Sequence, residues 1–373
     1  MRGLLSLDEA VRTVLERVRP LPSERLPLGE AAGRVLAEPA SAAVDLPPFP
    51  SSAMDGYALR AADTPGTLPV VARIAAGRPA PRPLAPGEAM AIATGGVVPE
   101  GADAVAPIEI VVVEDNNIQL ARAVETGAHV RPRGGDAGAG DVVVGVGQRL
   151  GPAQVGALAA AGVAEVACAR RPEVAVLATG TELRPPGEPL HPGEIYEANG
   201  FLLAAALAGA GAELERLPVA VDEEGAHRQA LERALEADVV VTSGGVSVGP
   251  HDLVRRIEAE LGVEEVFWGV AVKPGKPVSF AVRGSTLVFG LPGNPVSTLA
   301  GFELFVRPAL LALQGAREPG PRYEAATTTA TLRRNEARDE LLRARASVGE
   351  DTVALDPVAG QESHMIARAA DAD

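Results

Sequence analysis

Between residues 171 and 315 the chain alternates short, nearly all-apolar runs with helical patterns, and few folds accept that rhythm. The apolar runs fall at 173–178, 213–221, 237–242, 266–272, 278–282 and 286–289, and the helical patterns at 199–208, 225–236, 252–261 and 296–313. Strands that are apolar on both sides need cover on both sides, which predicts a doubly wound, mostly parallel α/β sheet. In such an open sheet, ligands bind beyond the carboxyl ends of the strands. The polar and glycine-rich residues fall there: Thr179-Gly180-Thr181-Glu182, Asp222, the run from Ser243 to Gly249, the loop from Lys273 to Lys276, and Leu291-Pro292-Gly293-Asn294-Pro295. These loops, from separate strands, are expected to converge on one edge and to handle a phosphate-bearing, anionic small molecule.

The remaining sequence reads as further units, since 373 residues exceed what one core holds. Ser6-Leu7-Asp8-Glu9 is a capping box opening a helix through about Val18. The stiff connector Leu46-Pro47-Pro48-Phe49-Pro50 marks a boundary. Residues 51–133 carry short apolar runs between Gly/Pro turns, a β pattern, with a hairpin tip at Asp115-Asn116-Asn117. A glycine-rich loop follows at 134–140, then a short helix over 152–161, and the tail beyond Pro321 returns to β at 325–332, 341–348 and 352–358. The expected division is an elongated mixed domain (1–45 with 134–170), a β domain (46–133), the α/β domain (171–318) and a small C-terminal β-barrel-like domain (319–373).

The formal charge of −15 gives no basic face for a nucleic acid. No stretch reaches the roughly 18 unbroken apolar residues of a membrane helix, and the first residues lack a signal-peptide pattern. With one cysteine, Cys168, neither a disulfide framework nor a multi-cysteine metal site is expected. The chain is therefore expected to be cytoplasmic. An acidic chain must still hold its anion, and here the lysines inform. Of 34 basic residues only Lys273 and Lys276 are lysine, and both lie in one loop. An ammonium is a compact point charge where a guanidinium is a broad fork.

Ser243-Gly244-Gly245-Val246-Ser247-Val248-Gly249 lies between a strand and a helix, where glycine amides and a helix start can cradle a phosphate. It matches neither G-x-G-x-x-G nor a P-loop, and a tight βα turn explains it equally. Glu182, Asp222 and Asp252 share the same edge. Singly they read as a solvated loop residue, an N-cap and a first-turn acid; together, beside phosphate, they fit oxygen ligands for Mg²⁺. Asn294 and Pro295 suit the N-cap and first turn of a helix. The same Pro-Gly-Asn-Pro run also makes a rigid wall for a flat heterocycle, with Ser297 as a donor. No histidine has a metal-ligand spacing or a Ser–His–Asp setting.

Ser52-Ala53-Met54-Asp55-Gly56-Tyr57-Ala58 and Thr94-Gly95 with Val98-Pro99-Glu100-Gly101-Ala102-Asp103 read physically as capped turns. Together with Thr-Gly-Thr-Glu-Leu at 179–183, the 243–249 loop with Asp252, Lys-Pro-Gly-Lys-Pro and Leu-Pro-Gly-Asn-Pro, they closely resemble the bacterial molybdopterin molybdenumtransferase family, whose eukaryotic relatives include the gephyrin C-terminal domain. The motifs occur in family order across nearly the whole chain. The resemblance implies a Mg²⁺-dependent enzyme that takes adenylylated molybdopterin and molybdate, releases AMP and leaves molybdenum on the dithiolene. It implies Glu182, Asp222 and Asp252 as the metal and substrate acids, Lys273 and Lys276 as phosphate or molybdate clamps, and Thr179, Gly180, Ser243, Gly244, Gly245, Ser247 and Gly249 as substrate-binding. Pro292, Gly293, Asn294, Pro295 and Ser297 would flank the pterin, and Asp55, Thr94 and Asp136 would act from other lobes. It further implies a molybdopterin-binding type of α/β domain, a homodimer with composite sites, and transient contacts with other molybdenum-cofactor enzymes. Thr181 stands where family members often carry Asp, and the C-terminal domain is expected to stop short of the family's last strands. An adenylyltransferase that activates molybdopterin, or a gephyrin-like scaffold, is the competing reading; the Met-Asp-Gly-Tyr-Ala motif and the lack of a linker arm weigh against them. Molybdate and tungstate are not distinguished.

Overall fold

The computed structural model describes residues 4–217, 224–244, 253–349 and 352–372. Its centre is a six-stranded sheet in the order Glu213–Arg216, Glu173–Ala178, Val239–Ser243, Thr286–Leu291, Ser279–Arg283, Glu264–Trp268. The first three pairings are parallel and the last two antiparallel. The sheet is thus mixed. Gly284 and Ser285 join Ser279–Arg283 directly to Thr286–Leu291, and a link that short permits only an antiparallel hairpin.

The parallel strands are apolar because both of their sides are buried. Val174, Val176, Val239, Val241 and Phe289 face one cluster; Ala175, Val240 and Val288 face another. Helix Leu7–Arg17 begins at the expected capping box and buries Leu7, Ala10 and Val14 in the first of these clusters, beside Leu310 and Leu313. Phe280 and Phe289 are fully buried with ring centroids 5.0 Å apart. Replacing Phe289 with alanine is expected to cost about 3–5 kcal/mol of local stability through lost burial and a cavity. A chain of several units does not unfold in one two-state step, so the change is best read from fluorescence of the single tryptophan, Trp268, which lies in this sheet.

The last long helix runs from Pro295 to Leu313 and is interrupted by a π turn over Phe302–Val306. Pro308 explains the interruption. It has no N–H to donate, and its ring crowds the carbonyl four residues back, so the turn before it widens. By length and composition this helix could cross a membrane, but 67% of its apolar window is buried inside the protein, as befits a core helix.

Strand Ser23–Pro27 pairs antiparallel with Glu165–Ala169, and Ala40–Ser41 with Val142–Val144, so chain from before and after the β lobe forms one unit with its own core. The β lobe itself is a six-stranded sheet in the order Ala104–Pro107, Gly56–Leu59, Ala89–Ile92, Gly66–Ile74, Asn117–Leu120, Val112–Glu114. The expected hairpin tip is there, with Glu114 opposite Asn117 and Asp115 at φ 53°. The C-terminal segment is less regular than its pattern suggests. Of 325–332 only Thr327–Thr328 is strand; with Val353–Pro357 and Ala344–Val348 it makes a three-stranded sheet that, among the described residues, is open rather than a barrel.

Candidate functional site

The carboxyl ends of the parallel strands open into a cleft of about 840 Å³. Its floor is built by close approach of backbone. Beyond Ala178 and Ser243, Thr179 N donates to the Ser243 carbonyl (3.1 Å) and Gly244 N to the Leu291 carbonyl (3.1 Å), which extends the ladder past the strands. Gly244 sits at φ 89°, and a Cβ there would lie 2.8 Å from the Thr179 carbonyl oxygen, so only glycine fits. At Gly180 a Cβ would lie 2.7 Å from the Glu182 carboxylate, which folds back over it.

Asn199, at the start of helix Asn199–Gly209, ties two of these loops together. Its Nδ2 donates to Ser243 Oγ (2.7 Å) and to the Gly293 carbonyl (2.8 Å). Because that carbonyl can only accept, the amide orientation is fixed. Glu197, 2% exposed, secures the same helix start by accepting from Gly200 N (2.6 Å) and from Arg216. Asn294 precedes the helix as expected, with Pro295 in its first turn, but its side chain makes no capping bond. Asn294 Nδ2 turns instead to Ser363 Oγ (2.9 Å), and the Ser363 carbonyl accepts from Val296 N (3.1 Å).

Thr179, Glu182, Ser243, Gly244, Lys276, Pro292, Gly293, Asn294 and Pro295 all line the cleft. Ser297 is buried behind it, 4% exposed. Lys273 does not line it; its Nζ donates to Glu340 Oε1 at 2.6 Å. Asp222, Gly245, Ser247, Gly249 and Asp252 lie outside the described residues. Of the three expected metal ligands only Glu182 is therefore described, and among the described residues no group of three His, Cys, Asp or Glu side chains is placed to hold a metal ion. Tyr196, Glu197, Asn199, Trp268 and His364 also line the cleft and were not singled out from sequence.

Asp55, Thr94 and Asp136 are not on the cleft of their own chain. Two of them meet each other. Asp55 Oδ1 accepts from Thr94 N (2.7 Å) and Thr94 Oγ1 (3.1 Å), and these bonds, the backbone one foremost, hold the Asp55 carboxyl below the ordinary aspartate range. Gly95 N donates to the Ser52 carbonyl (2.8 Å) and Ser52 N to the Gly96 carbonyl (2.9 Å), so the two capped turns form one exposed acidic corner. Gly56 beside it is steric: a Cβ would come within 2.1 Å of the Ala106 carbonyl oxygen. Asp136 is held through its backbone, with its N donating to the Leu46 carbonyl (2.9 Å).

A cleft at parallel strand ends, walled by prolines, Tyr196 and Trp268 and carrying one lysine, places the chain among α/β proteins whose ligand site lies beyond the carboxyl edge of the sheet. Residues 5–162 match the family described as the MoeA N-terminal region (domain I and II), and residues 175–312 match a probable molybdopterin binding domain. Molybdopterin molybdenumtransferase 2 of Mycobacterium tuberculosis is 39% identical over 354 residues, covering 91% of this chain and 87% of that protein. Molybdopterin molybdenumtransferase of Haemophilus influenzae is 37% identical over 369 residues, covering 97% and 91%. Among solved structures, the molybdopterin biosynthesis MoeA protein of Pyrococcus horikoshii OT3 aligns with a TM-score of 0.83 at 30% identity, over 100% of this chain and 94% of that one. The chain belongs to the molybdopterin molybdenumtransferase family.

Proposed function

We propose that this chain inserts molybdenum into molybdopterin, taking adenylylated molybdopterin and molybdate and releasing AMP. The observation that carries the reading is the cleft itself, where Lys276 is the lysine among backbone-lined loops at the strand ends. The Lys276 ammonium meets the phosphate or oxyanion charge. The close-packed turn at Thr179 and Gly244 brings backbone to the cleft wall, where a phosphate can meet it, and Pro292 and Pro295 with Trp268 offer flat surfaces to the pterin. Water attacks the phosphoanhydride to the adenylate, so that AMP leaves and the pterin keeps its own phosphate; the two dithiolene thiols then bind molybdenum, and their two protons depart with one molybdate oxygen as water. The metal's sulfur ligands come from the pterin, consistent with the single cysteine, Cys168, being buried elsewhere, its thiol pushed up by burial.

Mg²⁺ enters the proposal through Glu182 and the substrate's phosphates, the usual way this cation is held. Asp55 and Thr94 are assigned to the site of a partner subunit in a homodimer, with Asp136 in the same role. The chain is read as four cytoplasmic units with the boundaries expected from sequence. Incubation with adenylylated molybdopterin, Mg²⁺ and molybdate is expected to yield AMP and metal-loaded cofactor. Consumption of ATP with production of adenylylated molybdopterin would mark an adenylyltransferase instead. Excess EDTA is expected to bring AMP release to background, and full activity in EDTA would remove the Mg²⁺ role.

A further inference from the structure

Lys273 and Lys276 are the chain's only lysines, and they have different neighbours. Lys276 lines the cleft, whereas Lys273 pairs with Glu340 of the C-terminal unit. Backbone fixes that carboxylate in place. Val272–Lys273 pairs in parallel with Asp339–Glu340, Asp339 N donates to the Ala271 carbonyl (2.9 Å), and Leu341 N donates to the Lys273 carbonyl (2.8 Å). Lys273 holds the Glu340 carboxyl below the ordinary glutamate range.

The same C-terminal unit reaches the cleft itself elsewhere, through Ser363 on Asn294 and Val296 and through His364 on the wall. Arg343 joins the two contacts: its backbone N donates to Gln361 Oε1 (3.0 Å) and its Nη1 to the Met365 carbonyl (2.8 Å). Glu340 is therefore carried on a unit braced against the cleft loops on both sides.

We infer that Glu340 is a specificity-determining residue that occupies Lys273 until a substrate oxyanion displaces it, and so sets the chain's affinity for that oxyanion. This rests on the metal-insertion reading above. The pair is poised for exchange. Its side chains are 51% and 23% exposed, and a solvent-facing ion pair is weak. A dianion that also meets Lys276, three residues along the same loop, gains a second lysine ammonium beyond the one that Glu340 pairs with. A singly charged anion gains less, so Glu340 biases the site toward doubly charged oxyanions.

Having two lysines makes the test direct. The full-length chain is treated with an acetylating reagent, and the rates at Lys273 and Lys276 are read by peptide mass spectrometry, with Lys276 as internal reference. In Glu340→Gln, Lys273 is expected to acetylate severalfold faster while Lys276 keeps its rate. Half-saturating molybdate, in turnover and in direct binding of molybdate alone, is expected to fall by up to about fivefold at unchanged kcat. Should the glutamine variant misfold by circular dichroism, Glu340→Asp keeps the charge on a shorter arm and is expected to change both readouts in the same direction by less. An unchanged Lys273 rate, or a faster rate with unchanged molybdate binding, overturns the inference. If Lys273 is released and molybdate binds tighter, yet no metal-loaded cofactor forms, the control by Glu340 stands and the metal-insertion reading fails.

Discussion

Lys276→Ala is expected to lower turnover by about two to three orders of magnitude, the loss seen when a preorganised electrostatic group is removed from an active site. The fold is expected to survive. The loop is held at this residue by its backbone, whose carbonyl accepts from Val270 N (3.1 Å), and Pro277 follows directly. The side chain itself is exposed, and exposed substitutions away from a packed contact cost little stability. Lys276→Arg keeps the charge but spreads it over a planar fork in a cleft walled by Trp268 and Pro277, so most activity is expected to be lost there too. AMP release and metal loading, measured beside circular dichroism, check both variants. Arginine activity within twofold of the parent would mean that any cation serves.

The second large effect concerns assembly. Asp55 and Thr94 form an exposed, hydrogen-bonded corner of the β lobe, and the cleft of the same chain contains neither. An isologous dimer can place one lobe over its partner's cleft. Asp55→Ala and Lys276→Ala are each expected to be inactive as homodimers. In the proposed homodimer, refolding them together gives mixed dimers in which one site carries both defects and the other none. Random pairing then restores up to about a quarter of the parent activity from two dead preparations. If the parent regains activity on refolding and the mixture does not, each site is built within one chain.

The α/β sheet was legible because burial on both sides forces apolar strands, and the strand edge was legible because residues with no place in a core accumulate there. Nine of the expected site residues line one cleft for that reason. What escaped was of a different kind. Tyr196, Asn199 and Trp268 lie in or beside ordinary secondary structure, and nothing in their neighbours' composition marks them as facing a ligand. Asn294 looked like a helix cap, and only the arrival of Ser363, 69 residues later, draws its side chain away. Lys273 looked like a twin of Lys276 because the sequence carries no sign that Glu340 lies opposite it. Asp55 and Thr94 read as separate turns; their meeting depends on strand order in the β lobe, which periodicity does not specify. Local pattern determines which elements form, whereas long-range pairing determines which side chains meet.

The pairing of Ser23–Pro27 with Glu165–Ala169 also orders events on the ribosome. The first of these strands leaves the exit tunnel long before its partner exists, and closing a loop of about 140 residues onto it is entropically slow. The intervening β lobe has no such delay, since its sheet is completed by chain made between residues 56 and 120. It can condense during synthesis while its flanking strand still waits. Maturation therefore runs from the inside of the sequence outward, and the stretch at risk of mispairing is the early strand Ser23–Pro27, an edge without a mate until residue 169 emerges.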